Sequence, residues 1–113
     1  MEDKSLVRRI TIKQSNDADK VVCRTPTPGK KPTRIDRWKF EVIRKSILKA
    51  VPKSGEGVAF RDLTKLVKKQ LTAADQKKIG SLMWYTTVVK LELEVRREIR
   101  RLKGASPQRL LRT

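Results

Sequence analysis

From Arg96 to Arg112 the chain carries seven Lys or Arg and a single acid, Glu98. Guanidinium and ammonium groups at this density do one kind of chemistry well, the holding of phosphate oxygens through charge-assisted hydrogen bonds. Lys103 and Arg109, on either side of a Gly104-Ala105-Ser106-Pro107 turn, are the foremost candidate contacts, with Arg101 next. Strand alternation keeps all the cations of such a hairpin from facing one side. The rival use of the same charges is to discourage an exposed strand edge from pairing with another chain.

Further groups suited to phosphate lie upstream. Lys30, Lys31 and Arg34 occupy a Pro-rich stretch, TPTPGKKPTR, and such arms can follow a groove or a phosphate track. Lys68, Lys69, Lys77 and Lys78 flank a turn between two helical segments. In the segment SLMWYTTVVKLELEV, Ser81 is placed to cap a helix whose N-terminal dipole favours phosphate. If Trp84, Val88, Leu91 and Val95 form its inward stripe, then Thr86, Thr87 and Lys90 face outward with Tyr85 on the flank. Those residues suit phosphate and base-edge contacts. Glu92 and Glu94 on the same helix favour the plainer reading of a solvated face. Trp38 and Trp84 fall in apolar stripes and read as core anchors rather than as stacking platforms.

Several chemistries are poorly supplied. The chain has no His and one Cys, Cys23, so the commonest general base, a disulfide and a thiolate metal cluster are all missing. No Gly-rich phosphate loop, nucleophile elbow or carboxylate pair with metal spacing occurs. The expectation is a protein that is not an enzyme, with no cofactor and no metal. No run approaches the roughly eighteen apolar residues that span a bilayer, and the N-terminus lacks a signal peptide's apolar core. A cytoplasmic location without membrane contact is therefore expected, at the nucleoid if DNA is bound. The 29 Lys and Arg against 12 Asp and Glu give a net charge of +17, which makes a polyanion the natural partner.

The elements that must position these groups follow from periodicity and turn chemistry. Residues 1–34 form an N-terminal basic arm, either flexible or folded as a weak hairpin of Ile10 and Ile12 with residues 20–24 across a Ser15-Asn16-Asp17 turn. Residues 35–113 form the domain. A first helix starts between Thr33 and Asp36 and runs to Ala50, with Ile35, Trp38, Val42, Ile43, Ile47 and Ala50 as its core stripe. Pro52 stops it, KSGEG makes a loop, and Gly57-Val58-Ala59-Phe60 suits a brief strand. A helix from Arg61 to Leu71, a short turn of helix from Thr72 to Gly80 and the helix capped by Ser81 precede the basic hairpin. The predicted fold is mainly α with a small β-hairpin, a winged helix-turn-helix, with the hairpin as the wing.

The segments PGKKPTRIDRWKFEVIRKSIL, WYTTVVKLELEVRREIRR and SPQRLLR resemble a family of small, mostly bacterial proteins that carry a domain of unknown function. The resemblance rests on Arg34-Ile35-Asp36, Trp84-Tyr85, Lys90-Leu91-Glu92-Leu93-Glu94, Arg96, Ile99 and Ser106-Pro107-Gln108-Arg109, and covers residues 24–112. Glu92 stands where the family pattern has Asp, and Arg97 where it has Gly. The resemblance implies a winged-helix fold and carries no activity with it. The functional expectation is non-enzymatic binding of double-stranded DNA through the third long helix, wing and arm. Its rivals are a protein-interaction module, homodimerisation included, and an RNA binder.

Overall fold

Pro26, Pro28 and Pro32 exclude a helix between Arg24 and Thr33. In the computed structural model, which describes residues 19–113, this stretch connects two strands. Strand β1 (Lys20–Cys23) pairs antiparallel with β2 (Thr33–Asp36), Val21 opposite Ile35 and Cys23 opposite Thr33. Val21, Cys23 and Ile35 turn inward to join the core, while Lys20 and Asp36 form an ion pair of 2.5 Å at the open end. The segment around Ile10 and Ile12 lies outside the described residues. The boundary drawn at residue 34 runs through β2.

Helix α1 (Arg37–Ala50) follows directly and buries Phe40, Ile43, Ser46 and Ile47. Trp38, expected inside, is 41 % exposed. Phe40 occupies the core in its place, because the burying stripe runs through residues 40, 43 and 47, at spacings of three and four. Val51, buried, and Pro52 end the helix. A loop then leads to β3 (Val58–Ala59), which passes straight into α2 (Phe60–Gln70), held inward by Leu63 and Val67. Gly57 makes this approach feasible: its φ is +73°, and a Cβ there would lie 2.3 Å from the Leu110 carbonyl oxygen.

Thr72 caps α3 (Ala73–Ile79) as its sequence implies, its hydroxyl accepting from the Asp75 amide at 3.0 Å. Gly80, at φ +89°, closes that helix and admits α4 (Leu82–Val95). After α4 come β4 (Ile99–Arg101) and β5 (Arg109–Arg112). The hairpin expected here is present, and β5 also pairs with β3, giving a three-stranded antiparallel sheet of order β3-β5-β4. Among the described residues the architecture is therefore mixed α/β, with four helices and two small sheets, rather than mainly α with one hairpin. One core, built on Phe40, Ile43, Ile47, Leu63, Val67, Val89, Leu93 and Leu110, joins α1, α2, α4 and both sheets. Each large side chain buried there contributes about 1.5–3 kcal/mol.

Candidate nucleic-acid interface

Helix α4 is turned about its axis relative to the expected orientation. Its buried residues are Thr86, Val89, Lys90, Glu92 and Leu93. Thr86 and Lys90, expected on the outer face, are 0 % and 2 % exposed and are withdrawn from any ligand. Of the stripe expected inward, Trp84 is 47 % exposed and Leu91 and Val95 are half-buried, while Val88, also half-buried, packs against the edge of the core. The β1–β2 hairpin reaches this stripe, since Cys23, Arg24, Lys31 and Thr33 share a small pocket with Val88 and Leu91. The physical reason is that α4 is apolar on most of its circumference. It has two faces worth burying, one against the core and one under the hairpin.

The polar residues that point inward find partners there. Lys90 Nζ lies 2.5 Å from Glu94 Oε2 and 4.5 Å from the centre of the Phe60 ring. Burial lowers the Lys90 pKa, with the Glu94 carboxylate opposing the shift. Glu94 also accepts from Arg101 Nε at 2.6 Å. Glu92, 1 % exposed, accepts from the Arg24 amide (2.7 Å), from Arg24 Nε (3.0 Å) and Nη2 (2.7 Å), and from Arg96 Nε (2.8 Å). Burial alone would raise the Glu92 pKa, but these bonds and the adjoining guanidinium charge outweigh it and hold the carboxyl at about 2. The adjacent Cys23 thiol is pushed up to about 11, by burial first and by the Glu92 charge second. The acids of α4 are thus not a solvated face; they clamp the first hairpin and the last one to the helix.

The β4–β5 hairpin presents fewer open cations than its sequence offers. Arg109 donates from Nε to the Glu56 carbonyl (2.7 Å) and from Nη2 to the Gly57 carbonyl (3.1 Å), which ties β5 to the loop before β3. Arg112 Nε donates to the Val51 carbonyl at 3.2 Å. Arg101 is engaged by Glu94. Arg101 and Arg109, two expected phosphate contacts, are therefore both tied into the fold, because each stands beside an acceptor that the fold leaves open. Lys103, near the tip, is exposed and has no partner among the described residues. Arg97 and Arg100, outside the expected set of contacts, share that condition. The signal for Arg97 was present in its place between helix and strand, where the backbone takes φ +63°.

On the arm, Lys30, Lys31 and Arg34 are exposed, as expected. So are Lys68, Lys69, Lys77 and Lys78 around the α2–α3 turn. At the start of α4, Ser81 is exposed but makes no side-chain cap, and the Thr87 hydroxyl donates to the Met83 carbonyl at 2.9 Å. Tyr85 is half-buried, with its hydroxyl accepting from Lys39 Nζ at 3.2 Å. That ammonium lies 4.6 Å from the Tyr85 ring centre and 5.8 Å from that of Trp38, while Trp84 meets Tyr85 edge-on at 4.8 Å. Trp38, Tyr85 and Trp84 thus form one partly exposed aromatic patch around a cation, and the two tryptophans are not the core anchors expected of them.

The described surface is strongly cationic. Residues 19–113 hold 25 of the 29 cations and 9 of the 12 acids, a net of +16. Four of those nine acids, Asp36, Glu92, Glu94 and Glu98, are spent on internal ion pairs. Among the described residues no cluster of three or more His, Cys, Asp or Glu is placed to hold a metal ion. Nor is any helix there long and apolar enough to cross a membrane. No curated protein and no solved structure matches the chain. The sequence pattern of a family of unknown function, DUF6958, matches residues 20–110, and the chain belongs to that family.

Proposed function

We propose that this protein is a winged helix-turn-helix module that binds double-stranded DNA through its phosphates, without catalysis and with little reading of base sequence. The element order supports the fold: α1, β3, α2, α3, α4, then a hairpin whose second strand inserts between β3 and its own partner. The observation that carries the function is the imbalance of open charge. Lys30, Lys31, Lys77, Lys78, Arg97, Arg100 and Lys103 are exposed with no partner among the described residues. Sequence tolerance follows from the interior positions of Thr86 and Lys90, which leave Ser81 and Thr87 as the only small polar side chains of the expected set on the open part of α4.

The test is the affinity of a labelled random-sequence duplex across a salt series. Neutralising about six phosphates predicts a slope of log affinity against log salt near −5. A Lys30→Ala/Lys31→Ala/Lys103→Ala variant is expected to be shallower by about three. Equal affinity for duplex RNA would reassign the module to A-form backbones. A second reading, as a protein-docking module, is favoured by the patch of Trp38, Met83 and Trp84, which are 41, 69 and 47 % exposed. It predicts a mass that rises with concentration and a flat salt series.

A further inference from the structure

A cleft of about 660 Å³ opens between the β1–β2 connection and the start of the wing. Pro26 and Pro28 line it together with Glu94, Arg97, Arg100 and Arg101. Only Arg101 among these guanidiniums is paired, to Glu94, whose other oxygen meets Lys90. The cleft therefore keeps the charge of Arg97 and Arg100 uncompensated by any described residue.

Arg97 stands just past the end of α4. Its φ of +63° is the sole positive value at a non-glycine residue among the described residues. A Cβ crowds the carbonyl in that left-handed region, so Gly is the residue it favours. The end of α4 accounts for this conformation: the Arg97 amide donates to the Glu94 carbonyl (3.1 Å) and the Glu98 amide to the Leu93 carbonyl (2.9 Å), the left-handed close of a helix, and the Arg97 side chain is left on the lining of the cleft. We propose that this cleft is a binding site for a phosphate ester, with Arg97 and Arg100 gripping the phosphate and the two prolines offering a flat apolar wall to the attached sugar or base. The proposal deepens the nucleic-acid reading and rests on it for one of two sources of the ester, a duplex strand or a free nucleotide.

The test uses the full chain, an Arg97→Gly/Arg100→Ala variant, and a Lys49→Ala/Lys53→Ala control that removes the same charge outside the cleft. Duplex affinity over a salt series is measured beside amide shifts on titration with adenosine monophosphate. Arg97→Gly alone is expected to hold or raise the Tm, so loss of binding is not loss of fold. A salt slope about two shallower in the cleft variant, but not in the control, supports the site with a strand as its source. Shifts at Thr27, Arg97 and Arg100 that vanish in the variant support it with a free nucleotide as the source, even if the wild type ignores duplex and the nucleic-acid reading fails. Duplex binding that is equal in the cleft variant and the control, with no nucleotide shifts, overturns the cleft and leaves that reading intact. No binding of either probe overturns both.

Discussion

Glu92 accepts four hydrogen bonds from Arg24 and Arg96, and its carboxyl is held at about 2 against an ordinary 4.5. A carboxylate with a depressed folded pKa stabilises above its unfolded value, and that contribution is lost as pH falls from 4.5 toward 2. The displacement corresponds to about 3 kcal/mol. Glu92→Gln is therefore expected to lower stability near neutral pH by that order and to flatten the acid limb, as read by urea unfolding over a pH series. An acid limb as steep as in the wild type would show that other carboxylates carry it. The Lys90–Glu94 pair makes an asymmetric prediction. Lys90→Met keeps the packing on Phe60 and leaves Glu94 its Arg101 partner, so stability should stay within about 1.5 kcal/mol or rise. Glu94→Ala strands the Lys90 ammonium in the core and is expected to cost about 3–5 kcal/mol in the same assay.

At the level of elements, the approach of β3 to β5 depends on Gly57. Gly57→Ala drives a Cβ into the Leu110 carbonyl and keeps a positive φ, so a loss of about 2–4 kcal/mol is expected in thermal or urea unfolding. Gly55→Ala, at φ +85° but with open space around it, should cost only about 1 kcal/mol. Equal losses would place the effect in backbone strain alone. Most elements were legible in sequence: Thr72 and Gly80 bracket α3, Pro52 follows α1, and the Gly-Ala-Ser-Pro turn separates β4 from β5. The orientation of α4 was not. Trp84, Val88, Leu91 and Val95 make a regular stripe, but Val89 and Leu93 with Leu82 make another, and periodicity gives no rule for choosing between them. The choice fell to the stripe that packs against α1 and α2, and the other went under the hairpin.

For the whole molecule, a net charge of +17 on 113 residues opposes compaction at low ionic strength. Raising salt from about 0.02 to 0.2 M shortens the screening length from roughly 20 to 7 Å, so the Tm should rise with salt even as affinity for a polyanion falls. A Tm that falls over that range would show internal ion pairs outweighing surface repulsion. Sequence by itself determined the charge, the shortage of catalytic and metal-binding side chains, and the order of helices and C-terminal hairpin. Each of these depends on residue type or on neighbours a few positions away. Tertiary structure alone decided which cations remain open. Arg101 and Arg109 lie beside acceptors brought from residues 94 and 56–57, and Lys90 is drawn inside beside Glu94 and Phe60. Arg97 and Arg100 share a cleft with Pro26 and Pro28, far away in the chain, where the Arg24–Glu92 pair joins the first hairpin to α4. Side-chain availability depends on partners distant in the chain, and local pattern carries no record of them.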